Sequence, residues 1–133
     1  MKALFIFLIT ISSFSTHAAL NESQRELAKN LTLAVKHIND AGAKMLDKET
    51  RLDSAATMLN YIIYTNTLVN YTNDQLDVNT LHGRLKENVI GNLCSNTGLS
   101  PFIESNVIMV YRYLDKNGLF VTELSKDMGT CKK

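Results

Sequence analysis

Apolar and polar positions beyond residue 18 repeat with two distinct periods, and these periods lay out the elements. Leu27, Leu31, Ala34, Val35 and Ile38 fall at i, i+4, i+7, i+8 and i+11, one helical stripe, while Arg25, Lys29, Lys36 and Asp40 take the opposite side. Ser23 and Glu26 stand at capping-box spacing, so a helix is predicted from Ser23 to Ala41, with Gly42 as its stop. Two strands follow. Lys48 to Ala56 alternates in part, and Asn60 to Tyr71 is rich in β-branched and aromatic residues that suit a pleated, half-buried surface. The join, Thr57-Met58-Leu59, carries no strong turn signal. Asp77 caps a second predicted helix that runs to about Leu93 on the stripe Val78, Leu81, Leu85, Val89. Gly83 and Gly91 each weaken it by about 1 kcal/mol relative to alanine. A short third helix starts at Ser100 with Pro101 at its first position, where a missing amide is harmless, and Phe102 and Ile103 are its core contacts. Val107 to Leu114 and Leu119 to Leu124 flank Asp115-Lys116-Asn117-Gly118, a hairpin turn signal.

The order is therefore α-β-β-α-(short α)-β-β. Strands in pairs with helices between the pairs predict a single α+β domain, an antiparallel sheet with helices packed on one face.

Residues 1–18 read differently. Met1-Lys2 is a short basic start, Ala3 to Ile11 is apolar, and Ser12 to Ala18 is small and polar. That is the layout of a secretory signal peptide cleaved after Ala18, which leaves one domain over 19–133. The apolar run is shorter than the roughly 20 residues a membrane span needs, and no second run follows, so no stable span is expected after cleavage. The implied location is periplasmic or secreted.

Charge narrows the function classes. Fourteen Lys+Arg against thirteen Asp+Glu leave no basic excess to neutralise phosphates, which argues against a nucleic-acid partner. With 45% hydrophobic residues and a single proline, the chain is neither disordered nor fibrous.

An exported chain with two cysteines, Cys94 and Cys131, invites one disulfide. Two separate thiols are the alternative, and a redox pair is excluded because the cysteines are not C-x-x-C. His37 and His82 have no partner at ligand spacing, so no metal site is predicted, and no phosphate loop or G-x-G-x-x-G announces a cofactor. No G-x-S-x-G elbow marks a nucleophile, and no catalytic residue is assigned. Asp47, Glu49, Arg51 and Asp53 would share one strand face, where an arginine between acids holds their pKa values down, the reverse of what a general acid needs. A solvated charge ladder is the reading. Tyr61, Tyr64, Tyr71, Tyr111 and Tyr113 are candidates for an aromatic surface, although strand tyrosines usually pack at a core edge. Glu49→Gln and His82→Ala are expected to leave folding nearly unchanged.

Several tracts together resemble a family. These are Met45-Leu46-Asp47-Lys48-Glu49-Thr50-Arg51-Leu52-Asp53, the strand ending Tyr64-Thr65-Asn66-Thr67-Leu68-Val69-Asn70-Tyr71, then Asn92-Leu93-Cys94, Tyr111-Arg112-Tyr113-Leu114-Asp115-Lys116-Asn117-Gly118 and Cys131. In order and spacing the chain resembles the putative quorum-sensing-regulated virulence factor family of small exported bacterial proteins. Ser54 to Leu59 departs from the pattern by lacking a glycine and a proline at the strand join. The resemblance implies a secreted or periplasmic α+β protein with paired C-terminal cysteines and a link to virulence, and it transfers no catalytic residue.

The function expected is that of a non-enzymatic binding module for a protein or envelope component. The alternatives are a small periplasmic hydrolase with a site assembled from Arg51, Glu49, His82 and tyrosines, or an inhibitor of a host or competitor enzyme presenting Ser95–Ser100 or Asp115–Gly118.

Overall fold

The first helix begins one residue earlier than its sequence signal, because asparagine out-competes serine for the cap. A computed structural model describes residues 19–133, so the predicted leader lies outside the described residues. In it, α1 spans Glu22–Ala41, and the capping box is Asn21 with Gln24, not Ser23 with Glu26. The Gln24 amide donates to Asn21 Oδ1 at 2.9 Å and the Asn21 amide donates to Gln24 Oε1 at 3.0 Å. Gly42, at φ 76°, ends the helix as expected.

Five strands form one sheet in the order β1-β2-β3-β4-β5: β1 Lys44–Met45, β2 Thr50–Met58, β3 Tyr61–Leu68, β4 Ile108–Leu114 and β5 Phe120–Asp127. The fold is α+β, with α2 at Val78–Asn88 and α3 at Ser100–Glu104. The sheet is mixed where a wholly antiparallel one was expected. β3 and β4 pair in parallel, Tyr61 opposite Ile108 through Thr67 opposite Leu114. The reason is the crossover: α2 and α3 carry the chain back across the sheet, so β4 enters running the same way as β3. The other neighbours are antiparallel.

Alternation assigns the faces. Ile62, Tyr64, Asn66 and Leu68 of β3, with Met109, Tyr111 and Tyr113 of β4, turn toward the helices. Two clusters form there. Leu31 of α1, Ile62, Leu93, Val107, Met109 and Met128 make the first, with Phe102 and Ile103 of α3 against it. Leu68, Tyr113, Val121 and Leu124 make the second, covered by Val78, Leu81 and Leu85 of α2. Ile90 touches both. That position explains why α2 stops at Asn88 rather than near Leu93: a 3₁₀ turn over Ile90–Asn92 re-aims Ile90 and Leu93 inward.

The ends of the sheet are closed by side chains. Asn39 near the end of α1 acts as a strand substitute at the outer edge of β2: its Nδ2 donates to the Ala55 carbonyl at 2.9 Å, and the Ala55 amide donates to its Oδ1 at 2.8 Å. Asp115 shapes the β4–β5 turn, accepting from the amides of Asn73, Asn117 and Leu119. Gly118 there holds φ 81°, as Asn-Gly turn chemistry demands.

Cys94 and Cys131 are joined, Cα to Cα 5.3 Å, tying the turn after α2 to the 3₁₀ turn Met128–Cys131 that follows β5. No helix among the described residues is long and apolar enough to cross a membrane.

Candidate functional site

A concavity lies where the start of α1 meets two chain reversals. It is a groove of about 640 Å³ bounded by the N-terminal turns of α1, the β2–β3 turn and the end of α3. Leu20, Leu27 and Leu59 supply its apolar part, and Glu26, Asn30, Glu104 and Asn106 are among its polar lining. The β2–β3 turn is tight, with Met58 opposite Tyr61, and no glycine is available, so Leu59 itself takes φ 55°. A bulky side chain in the left-handed region is a true outlier. Asn106 terminates α3 at φ 53°. Among the described residues these two are the non-glycine positions with positive φ, and both line this groove.

The groove wall is fixed by hydrogen bonds. Asn60 Nδ2 donates to the Asn106 carbonyl at 2.9 Å, and the Ile108 amide donates to the Asn60 carbonyl at 2.9 Å. Lys132 Nζ donates to Asn106 Oδ1 at 2.8 Å and to the Glu104 carbonyl at 3.1 Å. Gly129 packs against the same asparagine so closely that a Cβ there would sit 2.5 Å from Asn106 Oδ1. The strained turns are therefore held from behind by β4 and by the disulfide-tied C-terminal segment. Leu20 and Leu59 nevertheless remain 37% and 55% exposed, so the groove keeps an apolar rim in solvent.

The residues singled out from the sequence are dispersed. The predicted charge ladder is broken, because β2 starts only at Thr50 and bulges between Leu52 and Ser54. Asp47 instead closes the turn before β2, its Oδ1 accepting from the amides of Glu49 and Thr50 at 2.7 and 2.8 Å, and the Glu49 amide first of all holds its carboxyl below the usual range. Glu49 accepts from the Tyr71 hydroxyl at 2.6 Å, a bond that raises the tyrosine pKa. What survives of the ladder is Arg51 Nε donating to Asp53 Oδ1 at 2.5 Å, with the Thr67 hydroxyl donating to Asp53 Oδ2 at 2.5 Å. This trio lies on the sheet face opposite the helices.

His82 is not a free surface residue. Its Nδ1 lies 2.8 Å from Oγ1 of buried Thr122, a polar pin between α2 and β5. Truncating it leaves that hydroxyl short of a partner, so His82→Ala is expected to cost about 1 kcal/mol, measurable by chemical denaturation, rather than nothing. His37 stands exposed on α1. Arg51, Glu49 and His82 thus have three separate partners, and the structure brings no two of them together.

The tyrosines split as well. Tyr64 and Tyr111 stack beneath the helices with centroids 5.2 Å apart, and burial first of all raises both pKa values. Tyr113 is buried and pushed up to about 12 for the same main reason. These three are core rather than an aromatic binding surface. Tyr61 is on the opposite face, with Met58 and Ile108 as its cross-strand neighbours. Of the loops considered for presentation to an enzyme, Ser95–Ser100 coils into a 3₁₀ turn beside Cys94, and Asp115–Gly118 is locked by Asp115.

Neither Leu59 nor Asn106 stands out in the sequence as a functional residue. Nothing in the residues around Leu59 announces a positive φ. Asn106 does leave a trace: an asparagine closing a short helix is the commonest non-glycine cap in the left-handed region.

Compared with protein-family models the chain matches none, and no curated protein matches it. Solved structures do share its fold. A protein of Pseudomonas aeruginosa described as a putative secreted protein superposes with TM-score 0.69 at 16% identity, over 86% of this chain and 100% of that one. The pilotin EpsS of the Vibrio vulnificus type 2 secretion system gives 0.65 at 11% identity, over 84% and 97%. The type II secretion system pilotin AspS of Vibrio cholerae gives 0.63 at 9%, over 83% and 96%. At such identities the chain shares with them the fold of small exported and secretion-system proteins.

Proposed function

We propose that this chain is an exported bacterial protein of the periplasm or the secreted fraction, and that it acts there as a non-enzymatic binding module that holds a segment of a partner in the groove beside Leu59. The observation that carries the reading is that both non-glycine residues with positive φ among the described residues, the strained Leu59 and Asn106, line one groove, with exposed leucines at its rim. Strain of this kind persists only where surrounding structure over-determines it, and it concentrates at ligand clamps. The fold supports the reading, since pilotins of two type II secretion systems are built on it, and it favours an envelope component as the partner. The tripartite leader supports export, with cleavage after Ala18. Membership of the quorum-sensing-regulated virulence factor family, and with it a link to virulence, rests on the order and spacing of the sequence motifs alone.

A photo-reactive amino acid placed at Leu59 and, separately, at Glu87 on the exposed side of α2 tests the site inside living cells. A discrete cross-linked adduct in the envelope fraction from position 59 and none from 87 is expected. Identical patterns from both positions, or no adduct from 59, would remove the groove from consideration. Intact-mass analysis of the same exported material should show a chain beginning at Ala19, and retention of residues 1–18 would overturn cleavage.

A further inference from the structure

We infer that Asn117 is a site of spontaneous backbone modification, conversion to an aspartyl or isoaspartyl residue through a cyclic imide, and that Asp115 holds this chemistry off while the β4–β5 turn is closed. The site is independent of the groove. Asn117-Gly118 is the only asparagine-glycine pair in the sequence, and Asn117 stands exposed in the turn. Glycine is the following residue that hinders the reaction least, because it brings no Cβ near the approaching carboxamide. The Gly118 nitrogen attacks Cγ of Asn117. A bond forms between them, the bond from Cγ to Nδ2 breaks, and ammonia leaves with the amide proton. Water then opens the ring at either of its carbonyls. One opening gives an aspartyl residue, and the other routes the backbone through the side chain and gives an isoaspartyl residue. Water is consumed and ammonia released in equal amount, and no oxidant or cofactor takes part.

The closed turn blocks the first step at the nucleophile. The Gly118 amide donates to the Asp115 carbonyl at 3.0 Å, so the proton that must leave is engaged. The Asn117 amide donates to Asp115 Oδ1 at 2.8 Å, and the Leu119 amide donates to the same oxygen at 2.9 Å, which holds the backbone on both sides of the reacting pair. The Lys116 amide donates to the Tyr71 carbonyl at 2.9 Å, and the Asn73 amide donates to Asp115 Oδ2 at 3.0 Å, which anchors the turn to the segment after β3. Ring closure needs Asn117 to rotate its backbone until the Gly118 nitrogen faces Cγ, and these bonds oppose that rotation. The reaction therefore proceeds from the locally opened turn, at a rate set by how often it opens. The isoaspartyl product does not refit the closed form. It carries an extra backbone carbon between Lys116 and Gly118, and its new carboxylate lies beside the buried Asp115 carboxylate. Each such conversion is a one-way record of an opening.

Mass spectrometry of the tryptic peptide Asn117–Lys126 tests this on exported protein stored in mildly alkaline buffer, folded or in concentrated guanidinium chloride. Asn117 is expected to convert at least about tenfold more slowly in the folded protein than in the unfolded one. Asp115→Asn, checked as folded by circular dichroism, should convert about tenfold faster than the folded parent, the factor given by losing one charge-assisted hydrogen bond. Asn96, equally exposed but followed by threonine, should stay intact over the same period. The isoaspartyl fraction, separated by chromatography, should exchange the amides of Asn73 and Leu119 faster than unmodified protein. Equal rates in folded and unfolded chains would overturn protection by the turn, and no conversion of Asn117 in the unfolded chain would remove the site. That comparison needs no variant, so it decides the inference even where Asp115→Asn does not fold. A folded Asp115→Asn variant no faster than the parent would take the protecting role from Asp115, and unchanged exchange in the isoaspartyl fraction would refute the one-way loosening.

Discussion

At the scale of single residues, Asp115 organises the last hairpin by accepting from three backbone amides. The residue is covered by its own turn rather than by apolar core, so the amides it accepts from outweigh the penalty of desolvation. Leu119 first, then Asn117 and Asn73, hold its carboxyl below the usual range, with Lys116 helping. A depressed folded-state pKa stabilises the protein above the unfolded value, near 4, and that stabilisation disappears as pH falls through the folded value. Asp47 and Asp77 act in the same direction at their own turns, each through a backbone amide first. Thermal melting should therefore drop on acidification below about pH 4. Asp115→Asn should flatten part of that drop while lowering the melting temperature at neutral pH. An unchanged acid limb in the variant would show that the turn does not titrate with this group. Leu59 makes the opposite kind of contribution. It holds a conformation that favours glycine, and more than half its surface is in water, so little packing offsets the strain. Leu59→Gly is expected to stabilise the fold by up to about 1 kcal/mol, seen as a higher denaturation midpoint at constant slope. A clear loss of stability would mean that the leucine side chain packs for the fold, and would take away the argument that its strain serves binding. Such positions are the hardest to foresee from a sequence. Hydrophobic pattern reports what is buried, and Leu59 is an apolar residue that is not.

Elements are legible in proportion to how locally they are determined. Asp77 at the start of α2, Pro101 in the first turn of α3 and Gly118 in the last hairpin each act through their own backbone neighbours, and each stands where its chemistry predicts. The start of α1 moves because two capping boxes overlap in the polar run Asn21-Glu22-Ser23-Gln24-Arg25-Glu26. Only contacts decide between them, and here Asn21 and Gln24 win. The charge ladder fails for a longer-range reason. A bulge opposite β3 shifts the register of β2, and no pattern in β2 alone records its partner. The disulfide is the element-scale feature with the largest energetic consequence. It closes a separation of 37 residues, for which chain entropy gives about 4 kcal/mol. It also fastens the 3₁₀ turn Met128–Cys131, whose Met128 is fully buried in the first cluster and whose Gly129 backs the groove wall. Replacing both cysteines by serine should cost roughly 2–5 kcal/mol. Peptide mapping without reductant must find Cys94 linked to Cys131, and the double variant must melt lower than the oxidised parent. Equal melting of the two would show that the turn docks by burial alone.

On the scale of the whole molecule, strand order is the feature least visible in the sequence. Alternation with period 2 is the same whether a strand's neighbour runs parallel or antiparallel, so the pairs β2–β3 and β4–β5 can be read and their mutual arrangement cannot. One trace is present. Ile108-Met109-Val110-Tyr111 is apolar without alternation, the pattern of a strand covered on both faces in the middle of a sheet. β4 is indeed interior, flanked by β3 and β5, and β3 is interior between β2 and β4. Their parallel joint holds Ile62, Val107, Met109 and Val110, all buried, and everything else is attached around it. β1 is two exposed residues on the edge of β2, and the helices reach the sheet at its flanks, α1 on β2 and α2 on β5. This architecture sets an order of opening. Local opening follows exposed backbone and sparse burial, while the central pair opens only with global unfolding. Native-state hydrogen exchange should accordingly find the slowest amides in β3 and β4 around Tyr64 and Val110, with β1 and the turn at Leu59 exchanging first. The groove would then be a rim of readily opened turns mounted on the most stable part of the molecule, a rigid base that lets the rim adjust to an occupant without loss of the fold. Slower exchange in α1 or α2 than in β3 and β4 would place the stable base in the helical layer instead, and the groove would move with it.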